Sequence, residues 1–301
     1  MNINDADQQE YQCSTWMYPK ELQLCTSYII TYRFCHPPLI LIQCCMIKLS
    51  FMTFLLDPAC FVAPRMESGD LYAFFDERLL KKKAKELAPC LNSCCIFLIG
   101  MMGCGKTTVG KVLSEALGYA FADSDTCVEQ AVGEIPVAQI FQQHGESVFR
   151  DNESKALQEL SSKSQLVVAT GGGAVLHPIN WEYMRKGITV FLDVPLDALA
   201  RRIAAVGTDS RPLLDFDSGD PYTKALMSLS PLLEKRVEKY SSADVTVSLS
   251  KLADDLEEDV SHLTPTIIAI EVLEQIEKYL RGKKKTFNSH FPLDLPEFSS
   301  F

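Results

Sequence analysis

The chain lacks the cysteine spacing of a disulfide-stapled or zinc-bound protein. No C-x-x-C pair occurs, nine of the eleven cysteines lie before Gly100, and none follows Cys127. A disulfide framework spaces its cysteines evenly, so the thiols are read as unpaired and the compartment as reducing. Cys90, Cys94 and Cys95 stand close together, but no histidine or second pair completes a tetrahedral zinc set around them. A surplus of positive charge is also missing, since 29 Lys and Arg face 39 Asp and Glu for a formal net charge of −10. Wrapping a nucleic acid backbone takes clustered cations, so no nucleic acid partner is expected. The runs Lys81-Lys82-Lys83 and Lys283-Lys284-Lys285 read as solvated charge. Long apolar runs are scarce. The one candidate, residues 37–56, is interrupted by Gln43, Lys48, Ser50 and Thr53, and Lys48 near its centre opposes a membrane span. Asp5, Asp7 and Glu10 replace the basic opening of a secretory signal, and they fit poorly the Ser- and Arg-rich, acid-poor composition of a transit peptide.

What is present is a globular composition, 47% hydrophobic and 23% charged, with a division near residue 66. Residues 1–65 are rich in cysteine, aromatic and aliphatic side chains without helical or strand period, and read as an extension outside the folded body. Residues 66–92 read as a charged helical lead-in, residues 93–282 as the main domain and residues 283–301 as a tail.

The decisive motif is Gly100-Met101-Met102-Gly103-Cys104-Gly105-Lys106-Thr107, which fits G-x-x-x-x-G-K-[ST] and follows an apolar run at residues 95–99. In this phosphate-binding loop the glycines permit a tight turn, so that successive N–H groups face an anion. Lys106 brings a compact charge to the β- and γ-phosphates of a nucleoside triphosphate, and the Thr107 hydroxyl is placed for Mg2+. Residues 107–117 read as a helix whose N-terminus, with Thr107 and Thr108, faces the phosphates.

Further strands are expected at 119–122, 166–169, 188–192 and 244–249. Helices are expected at 128–132, 137–144, 146–160, 196–203, 222–240 and 266–280. Continuous apolar strands joined by helices indicate an α/β fold, with a five-stranded parallel sheet covered on both faces. Ligands of such sheets collect at the carboxyl ends of the strands. There, Asp123 and Asp125 stand two apart, so that if strand geometry persists both carboxylates face the phosphate mouth. One would serve a metal-bound water and the other an attacking hydroxyl; the alternative is that one simply caps the following helix. Gly171, Gly172 and Gly173 let a substrate approach backbone N–H groups. Arg150 stands three residues before Glu153, a spacing for an ion pair that orients the guanidinium, although a lone helical arginine is as readily a solvated charge. Arg211 lies in the turn-rich stretch 207–214, a candidate lid that would bring positive charge to a transferring phosphoryl group.

The ordered set Gly100 to Thr108, Asp123-Ser124-Asp125, Phe149-Arg150, Thr170-Gly171-Gly172-Gly173-Ala174-Val175 and Ser210-Arg211-Pro212-Leu213-Leu214 resembles shikimate kinase, most closely the plant plastid form, over residues 94–280. The resemblance implies a P-loop fold of the nucleoside-monophosphate-kinase type with a lid. It implies ATP as phosphoryl donor, Mg2+ as cofactor, and the 3-hydroxyl of shikimate as acceptor in aromatic amino acid biosynthesis. It also implies the chloroplast stroma as compartment. By the same resemblance Lys106, Asp125 and Arg211 act in the transfer; Gly100 to Thr108, Arg202, Arg211 and Pro265 bind nucleotide; and Thr107 and Asp123 serve the metal. Asp125, Arg150, Gly171, Gly172 and Gly173 would bind shikimate. One departure stands out. Many members carry a second substrate-binding arginine before a Pro-Leu-Tyr motif, and the matching place here is Leu229. Arg236, seven residues or about two helical turns on, is the candidate replacement. A second departure, the acidic stretch 254–259, is expected to form a surface loop.

Three alternatives stay open at this point. A P-loop kinase for another polyol acid such as gluconate would share the phosphate loop. A non-catalytic shikimate-kinase-like binding or regulatory paralogue has Leu229 as its support. A membrane-anchored protein rests on residues 37–56 alone. The sequence specifies no oligomeric state.

Overall fold

Apolar runs of four to six residues make the sheet, and their order in the chain is not their order in space. In the computed structural model residues 68–206 and 220–290 are described. Residues 1–67, with the apolar run at 37–56, residues 207–219, with Arg211 and the candidate lid, and residues 291–301 lie outside them. The chain divides into two units, Met1–Arg65 and Met66–Phe301, and all described residues belong to the second.

The strands are β1 (Ile96–Ile99), β2 (Ala120–Asp123), β3 (Leu166–Ala169), β4 (Ile188–Asp193) and β5 (Val245–Ser248). They pair in the order β2-β3-β1-β4-β5, every pair parallel. Burial follows position in that order. All four residues of the central β1 and all four of β3 are buried, whereas the edge strands β2 and β5 expose part of theirs. A parallel strand covered on both faces has no solvent side, which is why β1 and β3 read as unbroken apolar runs.

Register then fixes the site. Leu98 of β1 and Asp123 of β2 both pair with Ala169 of β3, so the three strands end level. The phosphate loop, the acid pair and the glycine run emerge from those ends side by side.

Helices α1 (Ser68–Leu91), α2 (Lys106–Leu117), α3 (Ser124–Ala131) and α4 (Val137–Leu160) are followed by α5 (Pro178–Met184), α6 (Leu196–Val206), α7 (Pro221–Glu234), α8 (Val237–Tyr240), α9 (Leu249–Leu256) and α10 (Pro265–His290). Val109 and Leu113 of α2 pack into the core, and Gly118 ends the helix in the left-handed region, its N–H reaching the carbonyls of Ser114 and Glu115. The expected pair of helices meeting at residue 145 is present as α4, broken at Gly145, whose φ of 81° and ψ of 166° are not helical. α1 packs against α10 and α2, with Leu80, Ala84, Leu87 and Leu91 sharing one hydrophobic cluster with the sheet.

Three expectations need correction. The helix expected over 222–240 is two helices, α7 ending at Glu234 and α8 starting at Val237, with the break at Lys235 and Arg236. The acidic stretch 254–259 is helical up to Leu256, and Glu257, with φ of 56°, ends that helix. α10 runs on to His290 rather than stopping near 280.

Gly187 marks the tightest approach between a turn and the sheet. A Cβ there would stand 2.3 Å from the Cys95 carbonyl oxygen, a backbone atom, and 3.0 Å from the Phe97 ring. Gly187→Ala must push the turn off the start of β1 and is expected to lower stability by about 1–3 kcal/mol in urea unfolding. An unchanged midpoint with unchanged slope would contradict this packing.

Candidate active site

The phosphate loop connects β1 to α2, and its curvature is built on three glycines at positive φ, Gly100 (147°), Gly103 (80°) and Gly105 (95°). No other residue type adopts all three conformations without strain, and the turn leaves the N-terminus of α2 pointing out of the sheet. Thr107 and Thr108 are exposed there, while Cys104 is buried beneath the loop. The Lys106 ammonium donates to the carbonyls of Gly100 and Met101, both at 2.9 Å, and lies 3.5 Å from Cys104 Sγ. Lys106 is thus laid along its own loop, inside the arc where phosphate oxygens would sit.

The acid pair is organised by helix geometry, not strand geometry. Asp123 is the last residue of β2 and the N-cap of α3, its Oδ1 accepting from the Asp125 N–H at 3.1 Å. Its Oδ2 accepts from the Thr107 hydroxyl at 2.8 Å, tying β2 to the phosphate loop. Strand alternation therefore does not carry the two carboxylates to one side; the turn into α3 does. Asp123 both caps the helix and faces the loop. Ser124, between them, accepts from the Gly171 N–H at 2.9 Å and fastens the acid pair to the glycine run.

Asp125 opens onto a cleft of about 300 Å3 lined also by Met102, Asp123, Phe141, Phe149, Arg150, Gly171, Gly172, Gly173 and Arg236. Thr126, Glu129 and Val137 complete its lining. Asp125 Oδ1 is buried without a partner. Burial, reinforced by the Glu153 and Asp123 carboxylates, pushes the Asp125 carboxyl up to about 7 against the pull of Lys106 and Arg150. A carboxyl poised near neutrality beside a phosphate site is suited to accept a proton from an alcohol.

Arg150 is not a solvated surface charge. It is 6% exposed, donates from Nη1 to Glu153 Oε2 at 2.9 Å, and from Nε and Nη2 to Glu146 Oε1 at 3.2 and 3.0 Å. Its guanidinium carbon lies 5.2 Å from the Phe149 ring centre and 5.9 Å from that of Phe141. Burial pushes the Glu153 carboxyl up even against the opposing pull of Arg150.

The three glycines have a reason beyond backbone access. A Cβ on Gly171 would stand 2.4 Å from Glu153 Oε1 and 2.6 Å from Asp125 Oδ1, and one on Gly173 would stand 2.4 Å from Arg150 Nη2. None of the three has positive φ, so at Gly171 and Gly173 it is space for charged side chains, not turn geometry, that requires glycine.

Arg236, the candidate replacement noted in the sequence, is placed in the cleft. It is 2% exposed and lines the cleft, with Nη1 3.9 Å from Met101 Sδ and Nε buried without a partner. Leu229 is fully buried in the apolar core on α7. Arg236 reaches the cleft because the chain breaks between α7 and α8, not because it shares a helical face with Leu229.

Arg202 and Pro265 lie outside the cleft lining. Arg202 on α6 reaches the Gly103 carbonyl at 3.4 Å and the Val260 carbonyl at 3.5 Å, bridging the phosphate loop and the segment that leads to Pro265, the first residue of α10. Arg211 lies outside the described residues. Sequence reasoning assigned no role to Glu146, Ser124 or Tyr240. Glu146 had a legible signal, since it stands four residues before Arg150 on one helix.

Known proteins bear on this geometry directly. A family model described as shikimate kinase matches residues 102–269. The chain belongs to the shikimate kinase family. It is 56% identical over 229 residues to shikimate kinase 3, chloroplastic, of Oryza sativa subsp. japonica, covering 76% of this chain and 80% of that protein. It is 62% identical over 203 residues to shikimate kinase 1, chloroplastic, of the same plant, covering 67% of this chain and 66% of that one. A solved shikimate kinase from Acinetobacter baumannii in complex with shikimate superposes with a TM-score of 0.52 at 32% identity, over 67% of this chain and 98% of that one. The expected P-loop kinase fold is the fold found.

The raised Asp125 carboxyl carries a stability signature. Protonated Asp125 contributes stability that is fully present below the unfolded value of 3.8 and is lost as pH rises through about 7. That loss amounts to about 4 kcal/mol between pH 4 and pH 8. Asp125→Asn should remove this pH dependence, so that its stability relative to the parent rises from pH 4 to about pH 7 and then levels off in denaturant titrations. Parallel stability curves for the two proteins would refute the assignment.

Proposed function

We propose that the chain transfers the γ-phosphoryl group of ATP to the 3-hydroxyl of shikimate, giving shikimate 3-phosphate and ADP. The observation that carries this reading is the composition of the cleft. Two buried guanidiniums, Arg150 and Arg236, stand with a carboxyl poised near neutrality, Asp125, at the mouth of a phosphate loop. An acceptor that is both a carboxylate and an alcohol satisfies that set. Its carboxylate meets planar bidentate donors, and its hydroxyl meets the base.

In the transfer, the residues of Gly100 to Thr108 hold the triphosphate and Lys106 carries charge to its β- and γ-oxygens. Asp125 accepts the proton of the 3-hydroxyl as the oxygen bonds to phosphorus and the bond to the β–γ bridging oxygen breaks. The glycine run forms the floor beneath the acceptor. Arg202 and Pro265 flank the adenine, and Arg211 meets the transferring group when its segment closes. Thr107 and Asp123 fit Mg2+, because their hydroxyl and carboxylate are hard oxygen donors 2.8 Å apart beside the phosphate loop. When bound, Mg2+ neutralises charge on the phosphate oxygens.

Residues 93–282 form the catalytic domain in this reading, with 66–92 as its helical lead-in, 1–65 as a plastid-targeting extension of atypical composition and 283–301 as a tail. The compartment is the chloroplast, as it is for the rice relatives, and we assign the stroma within it.

Coupled detection of ADP with shikimate present and absent tests the activity. ADP release should depend on shikimate and vanish in Lys106→Ala; equal release without shikimate, or preference for gluconate, would overturn the reading. Arg150→Lys should raise the KM for shikimate about 10- to 100-fold, the worth of one or two charge-assisted hydrogen bonds, with the KM for ATP held. A parallel rise in both constants would argue against a substrate-carboxylate role.

A further inference from the structure

Tyr240 is fully buried, and nothing in the transfer chemistry above uses it. Its ring stacks on Phe191 of β4, with centroids 4.8 Å apart and planes 7° from parallel. Stacking would be satisfied equally by phenylalanine, so the hydroxyl requires its own account. That hydroxyl donates to the Gly172 carbonyl at 2.7 Å and lies 3.5 Å from Met101 Sδ. A phenol has one proton, and the shorter bond to the better acceptor takes it. Burial holds the phenol well above its ordinary range, so it remains a donor wherever the enzyme works.

The consequence lies in the peptide unit that follows. Across a trans peptide the carbonyl and the next N–H point in opposite directions. With its carbonyl captured on the Tyr240 side, the Gly172–Gly173 peptide must turn the Gly173 N–H the other way, away from Tyr240. The N–H groups of Gly172 and Gly173 take no part in backbone hydrogen bonding among the described residues, whereas Gly171 is already committed to Ser124. Tyr240 also reaches back to Arg236. The Tyr240 N–H donates to the Arg236 carbonyl at 2.9 Å, so the two residues stand one helical turn apart on α8. Both side chains converge on Met101 Sδ at the root of the phosphate loop.

We propose that Tyr240 is a positioning residue for the acceptor: its hydroxyl sets the Gly172–Gly173 peptide so that the Gly173 N–H is offered to an oxygen of the bound substrate, while its turn of helix seats Arg236 in the cleft. The inference rests on the reading of the glycine run as the acceptor floor. It adds a residue four positions after Arg236 that does not itself line the cleft.

Tyr240→Phe in the full-length chain is the test, because it keeps the stacked ring and removes only the donor. The KM for shikimate should rise about tenfold, with the KM for ATP within twofold and the thermal midpoint within a few degrees. In amide spectra of the 15N-labelled protein, the Gly173 resonance should move on adding shikimate to the parent, and move much less in the variant. An unchanged KM for shikimate overturns the inference. So does a parallel rise in both KM values with a large drop in melting temperature, since that marks a purely structural role. An unmoved Gly173 resonance in the parent also overturns it. Arg150→Lys and Arg236→Lys measured alongside separate the two levels: if neither changes the KM for shikimate, the acceptor reading itself fails, whereas normal behaviour of Tyr240→Phe alone removes only Tyr240 from the site.

Discussion

Arg150 held between two carboxylates sets the character of the whole cleft. Taking a guanidinium out of water is costly, and the ion pairs with Glu153 and Glu146 offset that cost and fix the guanidinium beside the cleft. Glu153 has a second effect, because it crowds Asp125 with negative charge in a place where water screens little. The same buried acid that anchors the arginine therefore makes the neighbouring carboxyl reluctant to ionise. Anchor and proton acceptor are tuned together, and neither is explained by its own helix alone.

That cluster is possible only because the backbone opposite it carries no side chains. Asp125 and Glu153 approach Gly171, and the Arg150 guanidinium lies against Gly173, at distances that a Cβ would forbid. The level ends of β1, β2 and β3 bring these pieces within reach of one another and of the phosphate loop. The bond from Thr107 to Asp123 ties the loop after β1 to the end of β2 across β3, and the bond from Gly171 to Ser124 fastens the adjacent ends of β3 and β2, so that the site belongs to the sheet and not to loose loops.

Much of this was legible before any coordinate. The five strands fall within a residue or two of where the apolar runs put them, because strands buried on both faces leave an unbroken signal. The phosphate loop was readable because its glycines answer to a specific backbone geometry. Asp123 and Asp125 were found for a partly wrong reason, since the turn into α3 and not strand alternation presents them. The shared helical face of Leu229 and Arg236 was misjudged because periodicity does not announce a helix break: Pro231 sits inside α7 without ending it, and the chain breaks four residues later. Tyr240 was invisible because an aromatic at the end of a helix reads as ordinary core, and only the contact with Gly172 distinguishes it. The helix at the chain's far end ran past its expected limit through a lysine run. Lysine is a good helix former, and charge alone does not stop a helix.

The packing of α1 has a bearing on how the protein matures. Its apolar face is part of the same core as the sheet, and Lys83 is paired with Glu274 of α10 at 2.7 Å. Any protease that trims the polypeptide must therefore leave this helix whole. A cut between Leu80 and Leu91 would strip cover from α2, the helix whose tip presents Lys106 and Thr107, so a lesion far from the chemistry would loosen the platform that holds it.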